Sequence, residues 1–335
     1  MSEDQRPGAI HWIDHFAVPT SDLDRWVDWA ENVLGAKESW GATGESHGPR
    51  FAEFRNLGGS HIIGFVQSTP IPPNAGLGKA HPRYGFYVNA ADIDEHRRRL
   101  DQLNVPHTDP VRVSDGGEPG TAIYFEDPDA NQYELWAPNR LPDGAMDKMS
   151  ALKVGRISHG VHESRDLART AEFYTRYCGI DPMAGADIPD DTLVFPMVAG
   201  SRLIFKKVDS LDVRTGGSTK WRGVHNAYIV RADEFMSAYQ RVWSELSEWD
   251  FDQRKDDPIA DPAALPARTG MHGSEAGRKW KAMYGRGDQI YDPDTNSFHF
   301  VGGSSAGPNL ATYEGHYMED YVEAFMKAKQ SGAGS

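Results

Sequence analysis

The chain has 335 residues, and at ~100–200 residues per domain that points to two domains. It sets 35 basic against 49 acidic residues, a net charge of −14, and such a surface repels phosphate backbones and anionic lipid. Nucleic acid and membrane are therefore excluded as expected partners. No run approaches the ~20 continuous apolar residues of a membrane helix, the first residues lack the basic-then-apolar pattern of a leader, and the single cysteine, Cys178, allows no intrachain disulfide. These features set the expectation of a cytoplasmic protein.

In chain order, an alternating run containing His15 predicts a strand. A helical pattern follows from Asp22 to Leu34, with Ser21 or Asp22 as its N-cap and Gly35 as its C-cap. RFAEFRNL and HIIGFVQ read as strands split by a Gly58-Gly59 turn, and PIPPNAGLGK reads as a connector. HPRYGFYVNAADIDEHRRRLDQLNV then repeats the strand-then-helix plan. VRV, TAIYFEDP and NQYELWAP close it as strands, with a DPDAN turn between the last two. The segment PNRLPDGAMDK marks a boundary near 140–152.

The second half echoes the first. An offset of 144 residues (157 − 13) matches IDHFAVPTSDLDRWVDWAENVLG with ISHGVHESRDLARTAEFYTRYCG, and pairs His15 with His159 and His81 with His225. Both histidine pairs are separated by 66 residues (81 − 15 and 225 − 159). DPDANQYEL recurs as DPDTNSFHF at an offset of 165 (292 − 127), aligning Glu134 with His299. The expected architecture is α+β: four βαβββ units forming two tandem domains, 8–142 and 153–304. An insertion at about 247–290 reads as a surface excursion rather than a lid, and 305–335 as a final helix with a disordered tail.

His15 and His81 begin equivalent strands, and Glu134 lies on the last strand of the second unit. If the two units pack about a pseudo-twofold axis, these strands meet at the centre of one curved sheet. Two imidazoles and a carboxylate on one side of an ion leave open positions opposite, the facial arrangement of non-haem Fe(II) oxygen chemistry. The second copy offers His159, His225 and His299 as a possible further set.

These residues carry a resemblance. Over about 10–140 and 155–303 the sequence resembles the vicinal oxygen chelate superfamily, which includes glyoxalase I, bleomycin-resistance proteins and the type I extradiol dioxygenases. AIYFEDPDANQYELWAP is the most specific piece, and the four-unit length is similar to the extradiol enzymes. The resemblance implies two tandem domains of that type, each a curved mixed sheet around a metal-binding cavity. It implies His15, His81 and Glu134 as ligands of Fe(II), with Mn, Zn or Ni as alternatives, His61 as acid–base, and Tyr124, ten residues before Glu134, as a hydrogen-bond donor to substrate. The implied activity is O2-dependent opening of a catechol- or hydroquinone-like ring, in aromatic compound degradation; a homo-oligomer is expected. The family usually keeps its active site in the C-terminal domain, but here the second copy has Arg202 at the place of His61 and Gln289 ten before His299, so the chemistry is assigned to the first copy. A glyoxalase-type metal isomerase or lyase, with His61 as a fourth ligand, is the alternative, followed by a non-enzymatic small-molecule binding protein. Arg83 and Arg202 are candidates for an anionic substrate group, but paired or solvated arginine is the plainer reading. His162 is a residue that could project beside His159. Trp12, Phe86 and Trp136 are expected to shape a pocket.

Overall fold

The computed structural model describes residues 8–38, 52–66, 76–185, 187–211, 225–231, 290–294 and 296–303, with residues 234, 238 and 241. The expected insertion (apart from Ile290) and the expected C-terminal helix lie outside these residues. The first unit runs β1 (Trp12–Thr20), α1 (Leu23–Trp29), β2 (Lys37–Glu38), β3 (Ala52–Leu57) and β4 (Ser60–Val66). The second runs β5 (Arg83–Tyr87), α2 (Ile93–Gln102), β6 (Val111–Val113), β7 (Gly120–Glu126) and β8 (Gln132–Pro138). Then follow β9 (Ile157–Ser164), α3 (Leu167–Cys178), β10 (Thr192–Pro196) and β11 (Arg202–Lys207), and finally β12 (His225–Arg231), β13 (Ile290–Tyr291) and β14 (Ser297–Gly303). The fold is mixed α+β, with its strands in two seven-stranded sheets. No helix among the described residues is long and apolar enough to cross a membrane.

Local chemistry explains the elements. Asp22 caps α1 by accepting from the Arg25 N–H, and Asp166 caps α3 through Arg169 in the same way. The predicted helix to Leu34 is α-helical only to Trp29; its last turn, Ala30–Leu34, widens to a π-helix before Gly35 closes it at φ 68°. The Gly58-Gly59 turn forms as expected, with φ of 63° and 85°. Gly64 on β4 leaves room for α1, since a Cβ there would stand 2.6 Å from the Trp26 ring.

The two DPD turns act as clamps. Asp127 accepts the Asp129 and Asn131 N–H groups, both at 2.9 Å, the Asn131 side chain at 2.7 Å and the Tyr133 hydroxyl at 3.0 Å. Asn131 then donates to the Pro19 carbonyl, and Asp129 accepts from Thr20, Ser21 and Arg25, tying this turn to the β1–α1 junction. Asp292 repeats the arrangement with Asp294, Asn296 and Tyr174. Asp127→Ala leaves several buried donors without an acceptor, so urea unfolding should show a loss of ~1–3 kcal/mol or more; an unchanged midpoint would remove the clamp role.

The sheet order differs from the expected pairing of neighbouring units. One seven-stranded sheet, sheet I, has the order β13-β14-β12-β1-β4-β3-β2, and the other, sheet II, β10-β11-β9-β5-β8-β7-β6. Each sheet therefore takes strands from both repeats: the first unit joins the fourth, and the second joins the third. β1 pairs antiparallel with β12, and β5 with β9. The linker between the repeats helps set this choice, because Tyr87 N donates to Arg156 O and Gly155 N to Tyr87 O, laying the start of the second repeat along the β5 edge. One face of each sheet packs into a shared aromatic core with the helices, where Phe16 of β1 stacks on Tyr84 of β5 at 3.6 Å and Tyr84 donates to Asn226. The other faces carry smaller apolar clusters: Ala17, Ala52, Ile63 and Phe65 on sheet I, and Tyr87, Ala122 and Trp136 on sheet II.

Candidate metal centre and its counterpart

Register places the candidate residues in two rows. Across sheet I, Asn56 pairs with His61, His61 with His15, His15 with Ala227, and Ala227 with His299. Across sheet II, Tyr124 pairs with Glu134, Glu134 with Gly85, Gly85 with His159, and His159 with Arg202. The rows are equivalent strand by strand. They make Ala227 the counterpart of Gly85 and, two residues earlier, His225 the counterpart of Arg83.

This alters one equivalence drawn from the sequence. His225 and His81 match at an offset of 144, but the strands match at 142 (225 − 83). The shared 66-residue spacing is a coincidence, and His81 precedes β5 in a bend, joined to Pro82 by a cis peptide bond. Burial, followed by the Arg83 charge, pushes the His81 imidazole down to about 3.

The expected triad is not brought together. His15 lies on sheet I, whereas Glu134 and the strand after His81 lie on sheet II. The acid–base pair is divided in the same way, His61 on sheet I and Tyr124 on sheet II. The premise that failed is the meeting of β1 and β5 in one sheet. His162 is also separate from His159: three residues apart on a strand, they face opposite sides. His162 is buried between Tyr84 and Phe205, and burial holds it down to about 3, hence neutral.

What sheet I does bring together is His15, His61 and His225. The His15 and His225 rings lie 5.5 Å apart with their planes at 31°, and both residues are buried. A β-bulge between Ile13 and His15 places Asp14 against them. His15 Nδ1 lies 2.7 Å from one Asp14 oxygen, and His61 Nδ1 lies 4.0 Å from the other. Burial lowers the His61 pKa against the pull of Asp14, so His61 is neutral near pH 7 and able to take a proton. Asp14 escaped the sequence reading; its signal was a carboxylate inside an alternating apolar strand, directly before a candidate ligand.

Sheet II holds a different set. Glu134 is fully buried, 3.1 Å from Arg83 Nε and 3.2 Å from His159 Nε2 through the same oxygen. Burial pushes the Glu134 pKa up, but the His159 and Arg83 charges outweigh it and hold it below the usual carboxylate value. The Arg83 guanidinium also donates to Gly78 O and lies 4.7 Å over the Tyr124 ring. Gly85 makes room for the imidazole, since a Cβ there would collide with His159 Cε1. Arg202 pairs with Glu118.

The two sets differ in fitness for a metal. Among the described residues no three His, Cys, Asp or Glu side chains cluster closely enough to hold an ion, and the His299 side chain is outside those described. The sheet I set is nevertheless of the right chemistry: buried imidazoles on one face suit Zn, Fe, Ni or Cu. The sheet II set does not fit, because Arg83 already places a positive charge on Glu134.

Residues 12–135 match the profile of the Glyoxalase/Bleomycin resistance protein/Dioxygenase superfamily. A comparison with curated proteins finds no match. Among solved structures, a candidate dioxygenase from Bacillus subtilis is similar, with TM-score 0.53, 15% identity, and coverage of 71% of this chain and 76% of that one. A mutant of glyoxalase I from Zea mays has TM-score 0.52 and 14% identity over 87% of this chain and 92% of that one. At these identities the likeness is one of fold.

Proposed function

We propose, for a chain whose residues 12–135 match the Glyoxalase/Bleomycin resistance protein/Dioxygenase superfamily, that it is a divalent-metal enzyme with its working centre on sheet I. His15 and His225 are the proposed first ligands, and His299, in the same register row, the third. The reaction proposed is Fe(II)-dependent opening of a catechol- or hydroquinone-like ring by O2. The observation that carries this reading is the approach of His15 from the first repeat and His225 from the second, with neutral His61 directly across from His15.

When bound, the metal would acidify the hydroxyl groups of a chelating substrate and give electrons access to O2. The chain's own part is then defined. His61 accepts a proton from a substrate hydroxyl at its ring nitrogen and returns it later. Ala17, Ile63 and Phe65, with partly buried Phe54 beside them, form an apolar wall that favours an aromatic substrate and excludes water. His61→Ala should lower turnover by roughly 10²–10⁴-fold with the metal retained. Loss of the metal instead would make His61 a ligand.

A second reading, a glyoxalase-type isomerase or lyase, is favoured by one observation. Each of four sheet I strands, β1, β4, β12 and β14, contributes a histidine, while Glu134 and Tyr124 lie on the other sheet. Metal content after anaerobic purification, combined with O2 uptake on catechols, separates the two. Iron with O2 uptake supports ring opening; bound zinc or nickel with no uptake sinks it.

A further inference from the structure

The two sheets differ in where they keep their carboxylate. In sheet II it is Glu134, on β8, in the register row of His159. The equivalent residue in sheet I is His299, which brings no negative charge. A divalent ion held only by imidazoles would leave its full charge inside a buried site, at a large desolvation cost.

Sheet I has a carboxylate one step further out. Both first strands carry a bulge at the same place, after Ile13 in β1 and opposite Gly85 and Phe86 in β9. In each, the bulge residue meets Nδ1 of the histidine that follows. In β9 it is Ser158, whose hydroxyl lies 3.0 Å from His159 Nδ1. In β1 it is Asp14, 3% exposed, at 2.7 Å from His15 Nδ1. The geometry is shared, and the chemistry differs by one charge. A carboxylate at Nδ1 fixes the proton there and leaves the lone pair on Nε2, the form in which histidine binds metals, and such outer partners raise ligand basicity.

We infer that Asp14 is the charge-supplying positioning residue of the sheet I centre: it holds His15 with Nε2 toward the ion. It replaces from outside the ligand set the negative charge that sheet II carries in Glu134. This rests on the sheet I reading proposed above, and predicts that the bulge residue, not a ligand carboxylate, sets metal affinity.

The test uses full-length protein stripped of metal and titrated with Zn2+, and in parallel with Co2+ to read the ligand field. Asp14→Asn and Asp14→Ser, the latter importing the Ser158 chemistry, should weaken Zn2+ binding by roughly 10–100-fold. Asp14→Glu should restore part of the loss, and Ser158→Ala should change nothing. Thermal unfolding without metal identifies any variant that fails to fold; Asp14→Ser and Asp14→Glu, both able to hydrogen-bond, keep the comparison available if Asp14→Asn is lost. Wild-type affinity in folded Asp14→Asn and Asp14→Ser overturns the inference and leaves the sheet I centre standing. Absence of binding by the wild type, or binding lost with Glu134→Gln and kept with His225→Ala, overturns that centre as well.

Discussion

Arg83→Met should destabilise the protein by ~3–5 kcal/mol, because it strips a buried carboxylate of its cation while retaining most of the side-chain volume. Glu134 is 0% exposed, and Arg83 Nε stands 3.1 Å from it. The pH dependence follows from the direction of the shift. In the fold Glu134 is held below its ordinary value, burial being outweighed by His159 and Arg83. Its contribution is then complete above the unfolded value of ~4.3 and is lost as pH falls through the lower folded value. In Arg83→Met burial of Glu134 is opposed by one charge fewer, so stability should begin to fall at a higher pH. Urea midpoints measured across the acid to neutral range check both statements. A variant as stable as the wild type at neutral pH would mean that the ion pair is relieved by water.

The second large effect is on the metal. His15→Ala and His225→Ala should each remove most bound ion and abolish activity, since each takes away one of a few ligands. Glu134→Gln should leave the metal in place and act on stability alone. Arg83→His carries the comparison further. It would place an imidazole at the sheet II counterpart of His225, beside His159 and Glu134, and create the two-histidine, one-carboxylate set that the wild-type sheet lacks. One additional ion per chain is expected, read by equilibrium dialysis. No gain would mean that the sheet II residues stand too far apart to share an ion.

Much of the local structure was legible in the sequence. Asp22, Gly35 and the Gly58-Gly59 turn have short-range signals, and they form with the backbone angles those signals require. The DPD turns were also visible, although their hydrogen bonds make them clamps between units as well as carriers of a neighbouring strand. What the sequence hid was the partner of each edge. β1 and β5 begin equivalent units and present equivalent edges, so hydrophobic alternation cannot say which strand each will accept. The answer lies in long-range pairing and in the linker at Gly155 and Arg156, which feeds β9 onto β5. From that one difference the expected site divides: His15 and His61 go to one sheet, and Glu134 and Tyr124 to the other. The counterpart of His225 was hidden for a simpler reason. A two-residue change in offset between the repeats put His81 where a gapless alignment wanted a ligand, and Arg83 where the fold needed one. Asp14 was missed because strand alternation assigns every residue to a face, whereas a bulge breaks that rule.

On this reading the metal centre is built across the two repeats, on sheet I. Anomalous scattering at the metal edge from crystals of metal-loaded protein tests it most directly. The predicted result is one peak between His15 and His225, within reach of the His299 backbone position and away from Arg83. A peak at Glu134, beside His159 or His81, would contradict it.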